Sequence, residues 1–202
     1  MSPSLGIIML AAAILAPQVV ANAAPDGSEA VRAGPGFAQC VYAERKADVV
    51  GALNASTAEL AKHYRNALRA ASSCGSSPNA SDDILRGMFA EAALRDVPAA
   101  AGLGPLAPEP DYRRGWFAAT GRDASVDEMA VCMAARHPIG IRRMLGTSPE
   151  SAEELAIVTA LNGVIAPCLP QGAAVKAAGQ AFRAALAEAF YHRAASPVLA
   201  EK

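Results

Sequence analysis

Residues 40–53 and 132–145 align without a gap at a shift of 92, and each block opens on a cysteine, Cys40 and Cys132. At the same shift Ser56 falls on Ser148. Cys74 falls on Cys168 after a two-residue insertion. Residues 85–92 then match residues 182–189 at a shift of 97, which superposes Arg86 on Arg183 and Glu91 on Glu188. Alanine fills 49 of 202 positions, so alanine matches count for little; the cysteines, the serine and the Arg–Glu pair carry the comparison. A long internal period of this kind marks a duplicated supersecondary unit. Two copies cannot form a solenoid with protected ends, so the expected arrangement is two units packed face to face.

Each unit reads as three helices. Alanine loses no side-chain entropy in a helix, which sets the class. In the first unit a helix is expected over residues 37–53. A second opens at Ser56-Thr57-Ala58-Glu59, a capping box in which the serine and the glutamate each satisfy an orphan backbone N–H. Leu60, Tyr64, Ala67, Leu68 and Ala71 recur at helical spacing and give it one apolar face. Cys74-Gly75 stops it. A third begins at Ser81-Asp82-Asp83, with acids where the helix dipole favours them, and carries Leu85, Met88, Phe89 and Ala92 inward. In the second unit a helix from Asp127 to Arg136 is kinked or ended by Pro138, and a short piece runs on to Leu145. Ser148 as N-cap and Pro149 at the first helical position open the next helix. Its face is expected to be Leu155, Val158, Leu161 and Ile165, with Pro167 ending it. The last helix reaches about His192, with Phe182, Leu186, Ala189 and Phe190 on one side. The fold class is therefore all-α: two tandem three-helix repeats packed as a pseudo-symmetric helical bundle.

The repeat also selects a cysteine pairing. Four cysteines allow three connectivities. If the first two helices of each unit form an antiparallel hairpin, Cys74 lies about one helical turn from the position facing Cys40, and Cys168 a little past the position facing Cys132. Cys40–Cys74 and Cys132–Cys168 would each tie the open end of a hairpin. The alternative is four buried free thiols. A metal site lacks the C-x-x-C or histidine-rich spacing that zinc needs.

Compartment is read from the N-terminus. Residues 5–16 are an uncharged apolar run, broken by Pro17 and followed by Ala21-Asn22-Ala23. That is a signal-peptide h-region with an A-x-A cleavage site, and it places the mature N-terminus at Ala24. A spanning helix needs about 20 apolar residues, so no transmembrane segment is expected after cleavage. An exported chain is also one in which disulfides persist. The chain then divides into a signal peptide (1–23), a flexible leader (24–36), helical repeat 1 (37–97), a Pro/Gly-rich connector (98–124), helical repeat 2 (125–195) and a tail (196–202).

A formal net charge of −1 argues against a surface built to read nucleic acid or an anionic membrane, which would normally show a basic excess. No G-x-S-x-G, P-loop or H-E-x-x-H motif occurs, and Gly102-Leu103-Gly104 does not follow a strand, so no catalytic, cofactor or metal residue is assigned. His63 lies on a polar helix face four residues after Glu59, and His192 lies four residues after Glu188. Both are read as mild surface pairs. His137 precedes Pro138 at the kink. Trp116, the single tryptophan, has no counterpart in the repeat. Tyr112, Arg113, Arg114 and Phe117 flank it, and these residue types are over-represented at binding hot spots. They are the candidate partner contacts, set against a simpler role for Trp116 and Phe117 as a plug between the two units.

Cys168-Leu169-Pro170-Gln171-Gly172 and Leu186-Ala187-Glu188-Ala189-Phe190 resemble uncharacterised exported helical cysteine-containing proteins of proteobacteria. The Cys-Leu-Pro-x-Gly turn is also similar to that of small periplasmic immunity proteins, which bind and block secreted toxins. The chain departs from those in being duplicated and in having no cysteine after Phe190. The resemblance implies a periplasmic or secreted protein. The function expected is non-enzymatic binding of another envelope or secreted protein. The alternatives are an enzyme whose site is assembled from scattered helical residues, and an immunity-type inhibitor.

Overall fold

The computed structural model describes residues 18–19, 28–69, 72–106, 115–170, 173–175 and 179–195. These residues are helical almost throughout. Helix α1 spans Ser28–Leu53, α2 Ala58–Arg69, α3 Asp82–Leu94 and α4 Ala99–Gly102. Helix α5 spans Phe117–Thr120, α6 Ala124–Arg136, α7 Pro138–Leu145, α8 Ala152–Asn162 and α9 Gly179–Ala195. Short 3-10 turns at Ser72–Cys74 and Ala166–Cys168 carry one cysteine each. Among the described residues the one strand pairing is two residues long: β1 (Gln18–Val19) runs parallel to β2 (Ala174–Val175). No described helix is long and apolar enough to cross a membrane.

Two disulfides join Cys40 to Cys74 and Cys132 to Cys168, the pairing that the hairpin argument selects. The first bridges α1 to the 3-10 turn that follows α2, and the second bridges α6 to the 3-10 turn that follows α8. Helix α1 is broken at Arg45 (φ −132°, ψ 42°), and α6 is separated from α7 by the same backbone excursion at His137 (φ −127°, ψ 44°).

Helices α3 and α9 form the centre, α3 packing against both α1 and α9, and α9 also against α6 and α7. Every residue of α9 from Gln180 to Ala194 is buried. A helix enclosed on all sides has no polar face, so its sequence shows no amphipathic period. Small residues permit the close contact at its middle. A Cβ on Gly87 of α3 would lie 2.3 Å from Ala184 Cα of α9. One apolar cluster gathers Phe37, Val41, Leu53, Leu85 and Phe89 with Tyr191 of α9. A second gathers Met129, Met133, Ile141 and Leu161 with Phe182 and Phe190.

Several local expectations are corrected. Residues 28–36, expected as part of a flexible leader, are the first turns of α1. The N-cap of α2 is Thr57, whose Oγ1 accepts the Leu60 N–H at 3.2 Å; the box proposed at Ser56 is one residue early. The N-cap of α8 is Ser151, whose Oγ accepts the Glu154 N–H at 3.1 Å, and Glu150 holds a positive φ of 63° outside the helix. Leu60 and Leu155 are exposed, at 40% and 68%. The inner residues are Ala61 and Leu68 in α2, and Glu154, Ile157 and Leu161 in α8. Helix α8 ends at Asn162, ahead of Pro167, which stands inside the following 3-10 turn. The connector contains two short helices, α4 and α5, and α6 already begins at its end. The signal segment, apart from Gln18–Val19, and the tail after Ala195 lie outside the described residues.

Candidate functional site

The chemistry-bearing residues fall into two groups, a buried ionic network around α3 and α9 and a cavity beside it. The network begins from a backbone problem. The last carbonyls of a helix have no intrahelical donor, and those of α1, α6 and α7 end inside the protein. Buried arginines supply the donors. Arg86 Nη1 donates to the Ala52 carbonyl at 2.6 Å and Nη2 to that of Leu53 at 3.0 Å, closing α1. Arg183 donates to the Met144 and Leu145 carbonyls at 3.0 and 3.2 Å, closing α7. Arg193 donates to the Ala134 and Ala135 carbonyls at the end of α6.

A buried guanidinium needs a counter-charge, and carboxylates on the facing helix provide it. Arg86 Nε donates to Glu188 Oε1 at 2.9 Å. Arg183 binds Glu91 with a two-bond fork, Nε to Oε1 and Nη2 to Oε2, both at 2.8 Å. Each ion pair takes a second partner. Arg122 bridges Glu188 and Asp127, whose Oδ1 accepts from its Nε at 2.7 Å. Glu154 Oε1 accepts from Arg183 Nη1 at 2.7 Å. This is why a glutamate occupies the inner face of α8. Burial by itself raises the Glu188 carboxyl, but Arg122 and then Arg86 outweigh it and hold the group well below the usual carboxylate range. At Glu91 and Asp127 the balance is reversed: burial wins over the neighbouring arginine and both carboxyls are pushed up.

The histidines are dispersed. His63 is exposed on α2, with its ring edge-on to Tyr64, and His137 occupies the α6–α7 break. His192 is not the surface residue expected: it and Glu188 are buried, with Nε2 3.9 Å from Glu188 Oε1. Its ring is stacked on that of Trp116 at 4.3 Å between centroids, 11° from parallel. Trp116 is 5% exposed, and Phe117 is half-buried and edge-on to it at 4.6 Å. Tyr112, Arg113 and Arg114, the remaining candidate contacts, lie outside the described residues. Cys40, Glu44 and Cys74 converge closely enough to hold a cation. Both sulfurs are spent in a disulfide, however, and cannot act as the thiolates such a site uses.

The cavity has a volume of about 370 Å³ and is half open to solvent, with α1, α3, α4, α7 and α9 contributing to its wall. Its surface is mainly apolar, Met88 and Phe190 included, with four polar side chains among the described residues: Gln39, Glu91, Arg95 and Arg142. Glu91 is the member held in the Arg183 fork. No histidine lines it. Gln39 lies in α1, Arg95 directly after α3 and Arg142 in α7, and no motif or spacing in the chain links them. The Arg86/Arg183 and Glu91/Glu188 positions, by contrast, were visible in the internal alignment.

No family model matches the chain, and no curated protein or solved structure matches it significantly.

Proposed function

We propose that the chain is an exported, non-enzymatic binding module made of two tandem three-helix repeats packed as a pseudo-symmetric bundle. Its partner is another envelope or secreted protein. Three correspondences support the duplication. The backbone breaks at Arg45 and His137 are related by the same shift of 92 as Cys40 and Cys132. The caps Thr57 and Ser151 are related by the same shift as Cys74 and Cys168, so the two-residue insertion falls between α7 and α8 rather than after the cap. Arg86 and Arg183 close equivalent carbonyls. Two disulfides suit a periplasmic or secreted location, and cleavage after Ala23 would deliver the mature chain there.

One observation carries the binding reading: the half-open cavity lies between the two halves and, among the described residues, presents no activated acid, base or nucleophile. Its single carboxylate accepts both hydrogen bonds of an arginine fork. A general base needs an accessible lone pair directed at substrate; Glu91 directs its own at Arg183. Small-molecule and peptide sites are typically apolar hollows of this size with a few placed polar groups. The test is a C-terminal tag, cross-linking in the native envelope, and identification of what co-purifies. A defined envelope protein that rebinds once both are purified is the expected result. A chain recovered alone overturns the reading.

A further inference from the structure

We infer that the cavity binds a small amphipathic monocarboxylate, an apolar tail ending in one carboxylate, of the fatty-acid type. The inference rests on reading the cavity as a binding site. Glu91 and Glu154 share Arg183, and Glu91 also feels Arg95; with Arg142 added, three guanidinium groups face two carboxylates and leave an excess of one positive charge for a ligand. A cation would meet that excess, and a neutral molecule would leave it unused. Arg142 commits only Nη1 to the protein, donating to the Ala100 and Ala101 carbonyls at 3.2 and 2.5 Å. No described group takes its Nε or Nη2, the side-on edge that matches a carboxylate bidentately. The carbonyl contacts fix the guanidinium plane before any ligand arrives. Arg95 is exposed and therefore stands at the rim. Met88 and Phe190 offer an adaptable thioether and an aromatic face to a tail.

Titration calorimetry of the oxidised full chain with decanoate, decanol and decyltrimethylammonium tests this. Decanoate should bind at least about tenfold tighter than decanol, the worth of one charge-assisted hydrogen bond, and the cation should give no heat. Arg142→Lys keeps the charge and loses the fork; it should bring decanoate close to decanol. Arg95→Gln, at an exposed site where folding is not at risk, should weaken decanoate and leave decanol unchanged. Ala101→Trp, on the exposed rim, should abolish binding of both. Equal affinity for decanoate and decanol, no binding of either, or decanoate binding indifferent to both arginine variants overturns the inference. If decanoate fails to bind while a protein partner is still captured, the ligand assignment falls and the binding module stands. Decanoate binding without any captured protein gives the converse.

Discussion

Arg86 and Arg183 make the same set of contacts on opposite sides of the α3–α9 seam. Each takes a glutamate from the facing helix through Nε and the two terminal carbonyls of another helix through its Nη atoms. The two sites differ in their third charged partner. Glu188 serves two arginines, Arg86 and Arg122, whereas Arg183 is served by two glutamates, Glu91 and Glu154. Removing one charge therefore has unequal consequences. Glu188→Gln leaves buried Arg86 with no carboxylate partner and Arg122 with Asp127 alone, and should cost about 3–5 kcal/mol. Glu91→Gln leaves Arg183 with Glu154, and the Glu91 side chain is 19% exposed, so the loss should be about 1–2 kcal/mol. Urea unfolding of the two variants measures the difference, and equal losses would contradict the unequal partnering.

The same carboxylate sets an acid limb. The folded Glu188 carboxyl is held below its unfolded value, so its stabilisation is complete above the unfolded glutamate pKa of about 4.3 and is lost as pH falls below that toward the folded value. Glu91 and Asp127 are raised; their contributions are complete below the unfolded values and are lost as pH rises through the folded ones. The two signs oppose each other, so the whole protein should show a shallow acid limb. The gap in stability between wild type and Glu188→Gln should shrink between about pH 5 and pH 3. A gap that stays constant over that range would show that Glu188 does not titrate with folding.

The disulfide pattern was legible in the sequence because it depends on helix lengths and spacing alone. The inner face of α8 was not. Periodicity places a glutamate outward and a leucine inward, yet Glu154 is buried and Leu155 exposed, because Arg183 reaches α8 from a distant part of the chain. Helix α9 shows the same limit. Glu188 and His192 read as a surface pair in sequence, but Arg86 and Arg122 draw Glu188 inward and His192 stacks on Trp116. The cavity was invisible for a related reason: Gln39, Arg95 and Arg142 meet only once the helices have packed.

Reduction tests the covalent frame. Unreduced peptide mapping should recover Cys40 linked to Cys74 and Cys132 linked to Cys168. Each bridge closes a loop with a sequence separation of 34 or 36 residues, which corresponds to about 3–4 kcal/mol of stabilisation on the chain-entropy account. Replacing either pair by alanine should lower stability by about that amount. A Cys40–Cys132 link in the mapped protein would contradict the packing described here.

Trp116 offers a choice between a core role and a contact role. Its ring is almost fully buried against His192 and Phe117. Trp116→Ala should therefore cost about 3–5 kcal/mol, the range for emptying a core aromatic site. A surface contact residue would instead leave stability unchanged and abolish co-purification of a partner. Urea unfolding and capture, run on the same variant, separate the two roles.

The sharpest test of the central packing is a single methyl group. At Gly87 an added Cβ meets the Ala184 Cα and Cβ, both at 2.3 Å. The obstacle includes backbone, so no rotamer change relieves it, and α3 must move away from α9. At Gly34 an added Cβ meets only the Sδ and Cε of Met88, both at 2.4 Å, at the flexible end of a side chain. Alanine favours a helix over glycine by about 1 kcal/mol in both places, so propensity predicts the same gain for each. Packing predicts opposite outcomes. Gly34→Ala should be tolerated once Met88 turns aside. Gly87→Ala should lose at least the about 1–3 kcal/mol of an overpacked core, and more if the Arg86–Glu188 and Arg183–Glu91 pairs are pulled apart with the helices. Adding Ala184→Gly should recover only part of that loss, because it removes the Cβ obstacle and leaves the Cα. Thermal unfolding of the three variants decides it, and a Gly87→Ala protein as stable as Gly34→Ala would show that α3 and α9 do not approach as closely as described.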